Sequence, residues 1–214
     1  MKTMFSVKYI KFNSLSVLTI FMTITFNAYC QDNYVGLSMD VQNTKLIDFS
    51  ELNLNTQGAY RPSMTIKYEY VFKNKNAFQT GFGYNMITQK SDLFKNNFYY
   101  LSVPLHYKTN VTKESGNITF STLLGLNFHY LVAANHVFSD GQKLNLKNYS
   151  SKFHYEGIIG CGVNKKLTEK IRFESLFTLA IGSSVNRINP SKIYLQNLNV
   201  GFDLSLYYLL SRKK

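Results

Sequence analysis

Eight separate stretches of the chain alternate apolar and polar residues with a period of two, and no segment sustains a period of 3.6. This pattern constrains the fold more than any other feature. "YVGLSMDVQ" sets Val35, Leu37, Met39 and Val41 against Gly36, Ser38, Asp40 and Gln42. "FHYEGIIGCGVNKK" sets Phe153, Tyr155, Ile159, Cys161 and Val163 against His154, Glu156, Gly160, Gly162 and Asn164. "NLNVGFDLSLYYLL" sets Val200, Phe202, Leu204, Leu206, Tyr208 and Leu210 against Asn199, Gly201, Asp203, Ser205 and Tyr207. "SMTIKYEYVF", "AFQTGFGYNM", "YYLSVPLHYKTN", "NITFSTLLGLNFHYL" and "KIRFESLFTLAIG" repeat the scheme. Successive side chains of a strand point to opposite faces, so each stretch predicts a strand with one apolar and one polar face.

The connections alternate in length. "KNKN" (73–76), "TKESGN" (112–117) and "KKLTEK" (165–170) are short, whereas 43–62 and 133–151 are long. That order predicts an all-β chain: an eight-stranded antiparallel up-and-down transmembrane β-barrel. The polar face decides which solvent the apolar face meets. It carries Lys67, Lys108 and Arg172 beside Asp40, Glu69, Glu156, Glu174 and Asp203, together with Gly36, Gly81, Gly83, Gly125, Gly160, Gly162 and Gly201. Glycines are wasted on an exposed strand face. Inside eight strands they make room for larger neighbours. The polar face therefore lines the lumen, its mixed charges forming internal ion pairs rather than a conduit, and the apolar face meets lipid. A secreted lipocalin-like carrier of an apolar ligand would invert both faces. The chain has no Trp, and so lacks the Gly-x-Trp feature usual in lipocalins.

The first residues read differently. Lys2, Lys8 and Lys11 precede the apolar run Leu15 to Phe26, and Ala28 and Cys30 supply small residues before Gln31. This is the order of a secretory signal peptide, expected over residues 1–30 with the barrel domain over 31–214. Lipidation of Cys30 is the rival reading, and bulky Tyr29 argues against it. Loss of the three lysines takes the formal net charge from +12 to +9, and loss of Cys30 leaves Cys161 without a disulfide partner. Short turns face the periplasm in such barrels, so both termini are expected there, with the protein in the outer membrane of a Gram-negative cell. Lys73, Lys75, Lys165, Lys166, Lys170, Arg212, Lys213 and Lys214 cluster at that end. They read as solvated turns near anionic headgroups, not as a nucleic-acid surface.

Pro104 interrupts the polar face of "YYLSVPLHYKTN" and removes one ladder donor, which predicts a local kink or bulge. The same strand, followed by the glycine-rich "GIIGCGVNKKL" and a last amphipathic strand near the C-terminus, resembles the PorT-like outer-membrane β-barrel family over about residues 31–212. That family shares a Tyr-Leu-x-Ile/Val-Pro-Leu strand, and its mature chains often begin with Gln, as Gln31 would here. Ser102 stands where an acidic residue is common in the family. The resemblance implies a non-enzymatic barrel accessory to a secretion or surface-assembly system.

The histidines are 106, 129, 136 and 154. His129 ends one strand and His154 begins the next, both with lumen-facing parity, and His136 lies between them. Three imidazoles at one mouth suit a transition metal. With Ser151 as nucleophile they suit a hydrolase of outer-leaflet lipid, the alternative function. The chain has no Gly-x-Ser-x-Gly and no His-Glu-x-x-His, so His129, His136 and His154 are read as polar rim residues. No catalytic, cofactor-binding or metal residue is assigned, and no cofactor is expected. Asn117 and Asn148 match the glycosylation acceptor pattern, which carries little meaning in a bacterial envelope. The expected partner is outer-membrane lipid, with no nucleic acid, and the loops at 43–62 and 133–151 suit a protein partner, a surface glycan or nothing specific.

Overall fold

The computed structural model describes residues 30–48, 59–90, 94–110, 118–182 and 195–212. Of the expected signal peptide only Cys30, the first residue of a strand, lies within this range. The strands are β1 (Cys30–Asp48), β2 (Ala59–Phe72), β3 (Ala77–Lys90), β4 (Phe94–Asn110), β5 (Ile118–Phe138), β6 (Lys143–Asn145), β7 (Phe153–Lys166), β8 (Ile171–Gly182) and β9 (Leu195–Arg212). Sequence neighbours pair antiparallel, apart from β6, which pairs only with the end of β5. The ring closes where β9 pairs with β1 from Asp32↔Arg212 to Asp48↔Leu195. The eight long strands thus form a closed up-and-down barrel, with Cys30 and Arg212 at the rim that carries the 73–76 turn. Their lengths, 12 to 21 residues, exceed the roughly 9–11 that a tilted strand needs to cross a bilayer.

Pairing continues beyond the clear alternation. β1 reaches Asp48 and β5 reaches Phe138, so much of the two expected long loops is extended ladder. β5 continues into a hairpin with β6, followed by a 3₁₀ turn at Lys147–Tyr149. β3 runs to Lys90 and β4 already starts at Phe94. Hydrogen bonding between strands needs no apolar stripe, so ladders outlast the membrane-facing pattern.

The faces sort as the alternation predicts. Phe202 is 57% exposed and its neighbour Asp203 only 8%. Leu37, Met39, Ile66, Phe82, Leu124, Ile159, Leu204 and Leu206 also point outward. Two aromatic belts bound this zone. Near the long-loop rim Tyr84 stacks on Tyr99 at 6.2 Å and Tyr130 packs against Phe153 at 5.3 Å. Near the terminal rim stand Tyr68, Tyr70, Tyr107 and Tyr208, with Tyr107 accepting a hydrogen bond from Asn76 of the 73–76 turn. An outward apolar band between aromatic girdles is the surface of a membrane-spanning barrel. Cys161 is exposed on this same outer face.

The lumen is filled. Its polar wall is interrupted by an apolar strip of Leu123, Ile158, Leu176 and Ala180. An apolar plug of Ile87, Phe98, Tyr100, Leu131 and Ala134 closes the lumen toward the long-loop rim. Glycine is required where strands crowd: a Cβ on Gly81 would collide with the Ile66 carbonyl.

Pro104 does face the lumen, but the bulge expected there is absent. The register with β5 is unshifted at Pro104↔Asn127, and β3 and β4 keep one register from Thr80↔Leu105 to Gly83↔Ser102 while pairing lapses between. A lapse over two residues accommodates the missing N–H without an inserted residue. The irregularity lies instead between Tyr99 and Tyr100, where Val132 of β5 is the extra residue.

Replacing Phe202 with Arg places a charge between the aromatic belts. It is expected to destabilise the barrel in lipid vesicles by about 2–4 kcal/mol, read from denaturant unfolding. A loss below about 0.5 kcal/mol, the scale of a surface change, would contradict lipid contact at this face.

Candidate functional site

The polar side chains of the lumen meet in layers, each carrying paired charges. In the layer nearest the terminal rim Lys108 Nζ lies 2.6 Å from Glu69 and 2.5 Å from Glu174. Arg172 donates to Glu69 Oε1 at 2.5 Å and lies between the rings of Tyr34 (4.5 Å) and Tyr207 (4.6 Å). Gln79 also donates to Glu69, and Tyr207 OH donates to Glu174 at 3.3 Å. Two cations thus meet two carboxylates, and both carboxylates are fully buried.

In the middle layer Lys67 Nζ lies 2.5 Å from Asp203 Oδ2. Ser38 and Ser205 each donate to Asp203 Oδ1 at 2.7 Å. Asp40 takes hydrogen bonds from Gln42 and Ser63. His106 is buried against Asn127 at 2.8 Å.

The third layer, below the apolar plug, gathers the chemistry. Glu156 of β7 accepts from Arg61 Nη1 at 2.5 Å and from Asn199 at 2.9 Å. His129 and His154 face each other in register across β5 and β7, their rings stacked 5.3 Å apart. Their Nε2 atoms lie 3.2 and 3.1 Å from the Glu156 carboxylate. Ser102, the register partner of His129, places its hydroxyl 2.8 Å from His129 Nδ1. Tyr100 packs against both imidazoles at 5.9 and 6.0 Å. Alternation explains the gathering: Ser102, His129, His154 and Glu156 have inward parity at similar height on the adjacent strands β4, β5 and β7, and Arg61 has it on β2 across the lumen.

The expected three-histidine mouth is thus corrected. His129 and His154 are together, but inside the lumen and not at its rim. His136 stands higher on β5, beyond the extra residue at Val132, and bonds Asn96 at 2.5 Å. The third member is Glu156, and the cluster His129, His154 and Glu156 is wholly buried. Ser151 donates to the Phe153 carbonyl at 2.8 Å, outside this cluster. Among the inward charges, Arg172 pairs with Glu69, Lys67 with Asp203 and Glu174 with Lys108.

Sequence reasoning missed two residues of the site. Arg61 falls inside the expected loop, although Tyr60, Pro62 and Met64 continue the outward parity of β2 and put Arg61 inward. Gly182 ends β8 beside His154, where a Cβ would lie 2.6 Å from the imidazole Cε1. Its parity with Arg172, Glu174 and Thr178 is the signal that could have found it. Asn148 is exposed, and Asn117 and residues 49–58 lie outside the described residues.

No protein-family model matches the sequence, and no curated protein matches it. Solved structures do. Neisserial surface protein A is 12% identical with a TM-score of 0.56, covering 82% of this chain and 96% of that one. A major outer membrane protein from Thermus thermophilus is 8% identical with a TM-score of 0.46, covering 82% and 99%. Ail, the attachment invasion locus protein of Yersinia pestis, is 14% identical with a TM-score of 0.41, covering 82% and 98%. At such identities the likeness is one of fold, and the fold is the closed eight-stranded barrel.

Replacing Glu156 with Ala leaves the buried Arg61 guanidinium uncompensated, and about 3–5 kcal/mol of stability is expected to be lost in denaturant unfolding. Adding Arg61→Met to that variant is expected to restore part of the loss. Strict additivity of the two changes would mean that the pair is not coupled.

Proposed function

We propose that the protein is a non-enzymatic barrel of the Gram-negative outer membrane, with both termini in the periplasm, acting at the cell surface through its long-loop rim. The observation that carries this reading is the filled lumen. Glu69, Glu156, Glu174 and Asp203 are all paired with cations, and Ile87, Phe98, Leu131 and Ala134 stop the path above them. Such an interior gives a solute no route. The outer wall is occupied by lipid. Binding then falls to the rims, and the rim away from the termini has the extended β5–β6 hairpin and the longer connections. The fold likeness to Neisserial surface protein A supports an outer-membrane setting.

The Tyr-Leu-x-Val-Pro-Leu strand and the glycine-rich β7 resemble the PorT-like family. That resemblance supports an accessory role in a secretion or surface-assembly system, with a protein as the partner of the rim. Deletion of the gene is expected to change the set of proteins delivered to the cell surface. An unchanged set, with the barrel shown to be present in the parent strain, would count against the accessory role.

The barrel extracted from membranes is expected to change its electrophoretic mobility on boiling. In planar bilayers it should show no steady conductance steps, and such steps would overturn the closed-lumen reading. For orientation, Ser139→Cys and Asn74→Cys in a Cys161→Ser background should differ on intact cells. A membrane-impermeant thiol reagent should label the first and spare the second, and the reverse result would invert the barrel.

A further inference from the structure

We propose that His129, His154 and Glu156 bind one divalent transition-metal ion of the zinc class within the barrel. The three side chains are buried, and their ligating atoms all lie within 4.8 Å of one another. Two imidazole nitrogens and a carboxylate oxygen form a donor set for zinc, cobalt, nickel or copper. Calcium and magnesium prefer oxygen ligands alone.

Hydrogen bonding accounts for one carboxylate oxygen of Glu156 and leaves the other bare. Oε1 takes Arg61 and Asn199 and has His154 Nε2 at 3.1 Å. Oε2 is buried with no hydrogen-bond partner among the described residues, although His129 Nε2 stands 3.2 Å away. Buried carboxylate oxygens are seldom left so, because desolvation is then uncompensated. An ion supplies the missing partner. Two ligands on a tetrahedral ion with bonds of about 2.0–2.1 Å stand about 3.3 Å apart. The spacing from Oε2 to His129 Nε2, 3.2 Å, is of that size, and His154 Nε2 stands 3.1 Å from Oε1 of the same carboxylate.

The surrounding groups fit an outer shell. A proton on His129 Nδ1 donated to Ser102 Oγ leaves the Nε2 lone pair facing Glu156. Arg61 and Asn199 fix the carboxylate through Oε1, so that Oε2 is the oxygen presented. Tyr100 covers both rings, and its hydroxyl has no hydrogen-bond partner among the described residues. A small cavity of about 40 Å³ reaches His129, Arg61, Asn85 and Ser102 from below, with room for a water as a further ligand. The Arg61 charge beside the site repels a second cation, so the ion binds weakly enough to be removed by a chelator. The site links β5 and β7 beneath the plug, and the ion acts as a structural clasp.

The test uses the full barrel, without a polyhistidine tag, extracted from membranes and stripped with a chelator. Cobalt, zinc and copper are titrated, and bound metal is counted after dialysis. One ion per chain is expected, with two nitrogen ligands in the copper electron paramagnetic resonance spectrum. His129→Gln and His154→Gln should each weaken binding by more than about tenfold, while His106→Gln and His136→Gln leave it unchanged. Variants are compared only where boiling still shifts the band, and the wild-type copper spectrum decides if they do not fold. No bound ion, a spectrum with fewer than two nitrogens, or equal binding by all four variants would overturn the proposal.

Discussion

Closure of the strand ring is the constraint on which the rest of this structure depends. In hydrocarbon no water is available for a bare N–H or C=O, so an open sheet edge is excluded. β1 meets β9 along most of its length and β4 meets β5 over Phe94–Asn110, leaving no edge among the long strands. Closure also fixes parity, since a slip of one residue on any strand would exchange lipid-facing and lumen-facing side chains. The extra residue at Val132 makes that exchange on β5, above the membrane zone. Leu131 and Ala134 are inward on either side of it, and His136 is thereby aimed at Asn96.

A closed ring of eight strands has little room inside, and that room here is polar. A carboxylate taken out of water is expensive unless a cation and further donors meet it. The lumen answers in layers of matched charge: Lys108 and Arg172 with Glu69 and Glu174, Lys67 with Asp203, Arg61 with Glu156. Each pair joins strands that are not ladder neighbours, and Arg61–Glu156, Arg172–Glu69 and Lys108–Glu174 reach across the lumen while the ladders hold the barrel around its wall. The apolar strip of Leu123, Ile158, Leu176 and Ala180 supplies dry packing between them.

Strand number, face assignment and the inward charges were legible because each rests on a period of two, which a strand cannot disguise. Leu123, Ile158 and Leu176 were less legible. They are apolar on a face read as polar, and only three-dimensional register shows them touching. The reach of β1 and β5 was missed because a ladder above the membrane needs no alternation. Pro104 misled for a related reason. A missing donor demands a gap in pairing, and the barrel supplies a gap without a bulge. At the candidate site, His129 and His154 were visible as neighbours across one hairpin. Arg61 and Asn199 come from β2 and β9, and no local pattern ties them to Glu156.

The outer hairpin is tied to the interior, which bears on what the rim can do. Leu146 follows β6, donates its N–H to the Ala134 carbonyl at 2.9 Å and packs against the plug of Ile87, Phe98 and Leu131. Ser150 then donates to the Leu146 carbonyl at 2.9 Å, closing the 3₁₀ turn that carries the exposed Lys147 and Asn148. The hairpin therefore stands on the same apolar plug that seals the lumen. A surface held in this way meets a partner with little conformational entropy left to lose. The closed interior and the anchored hairpin are consequences of one packing arrangement, and a change at Phe98 or Leu131 would disturb both together.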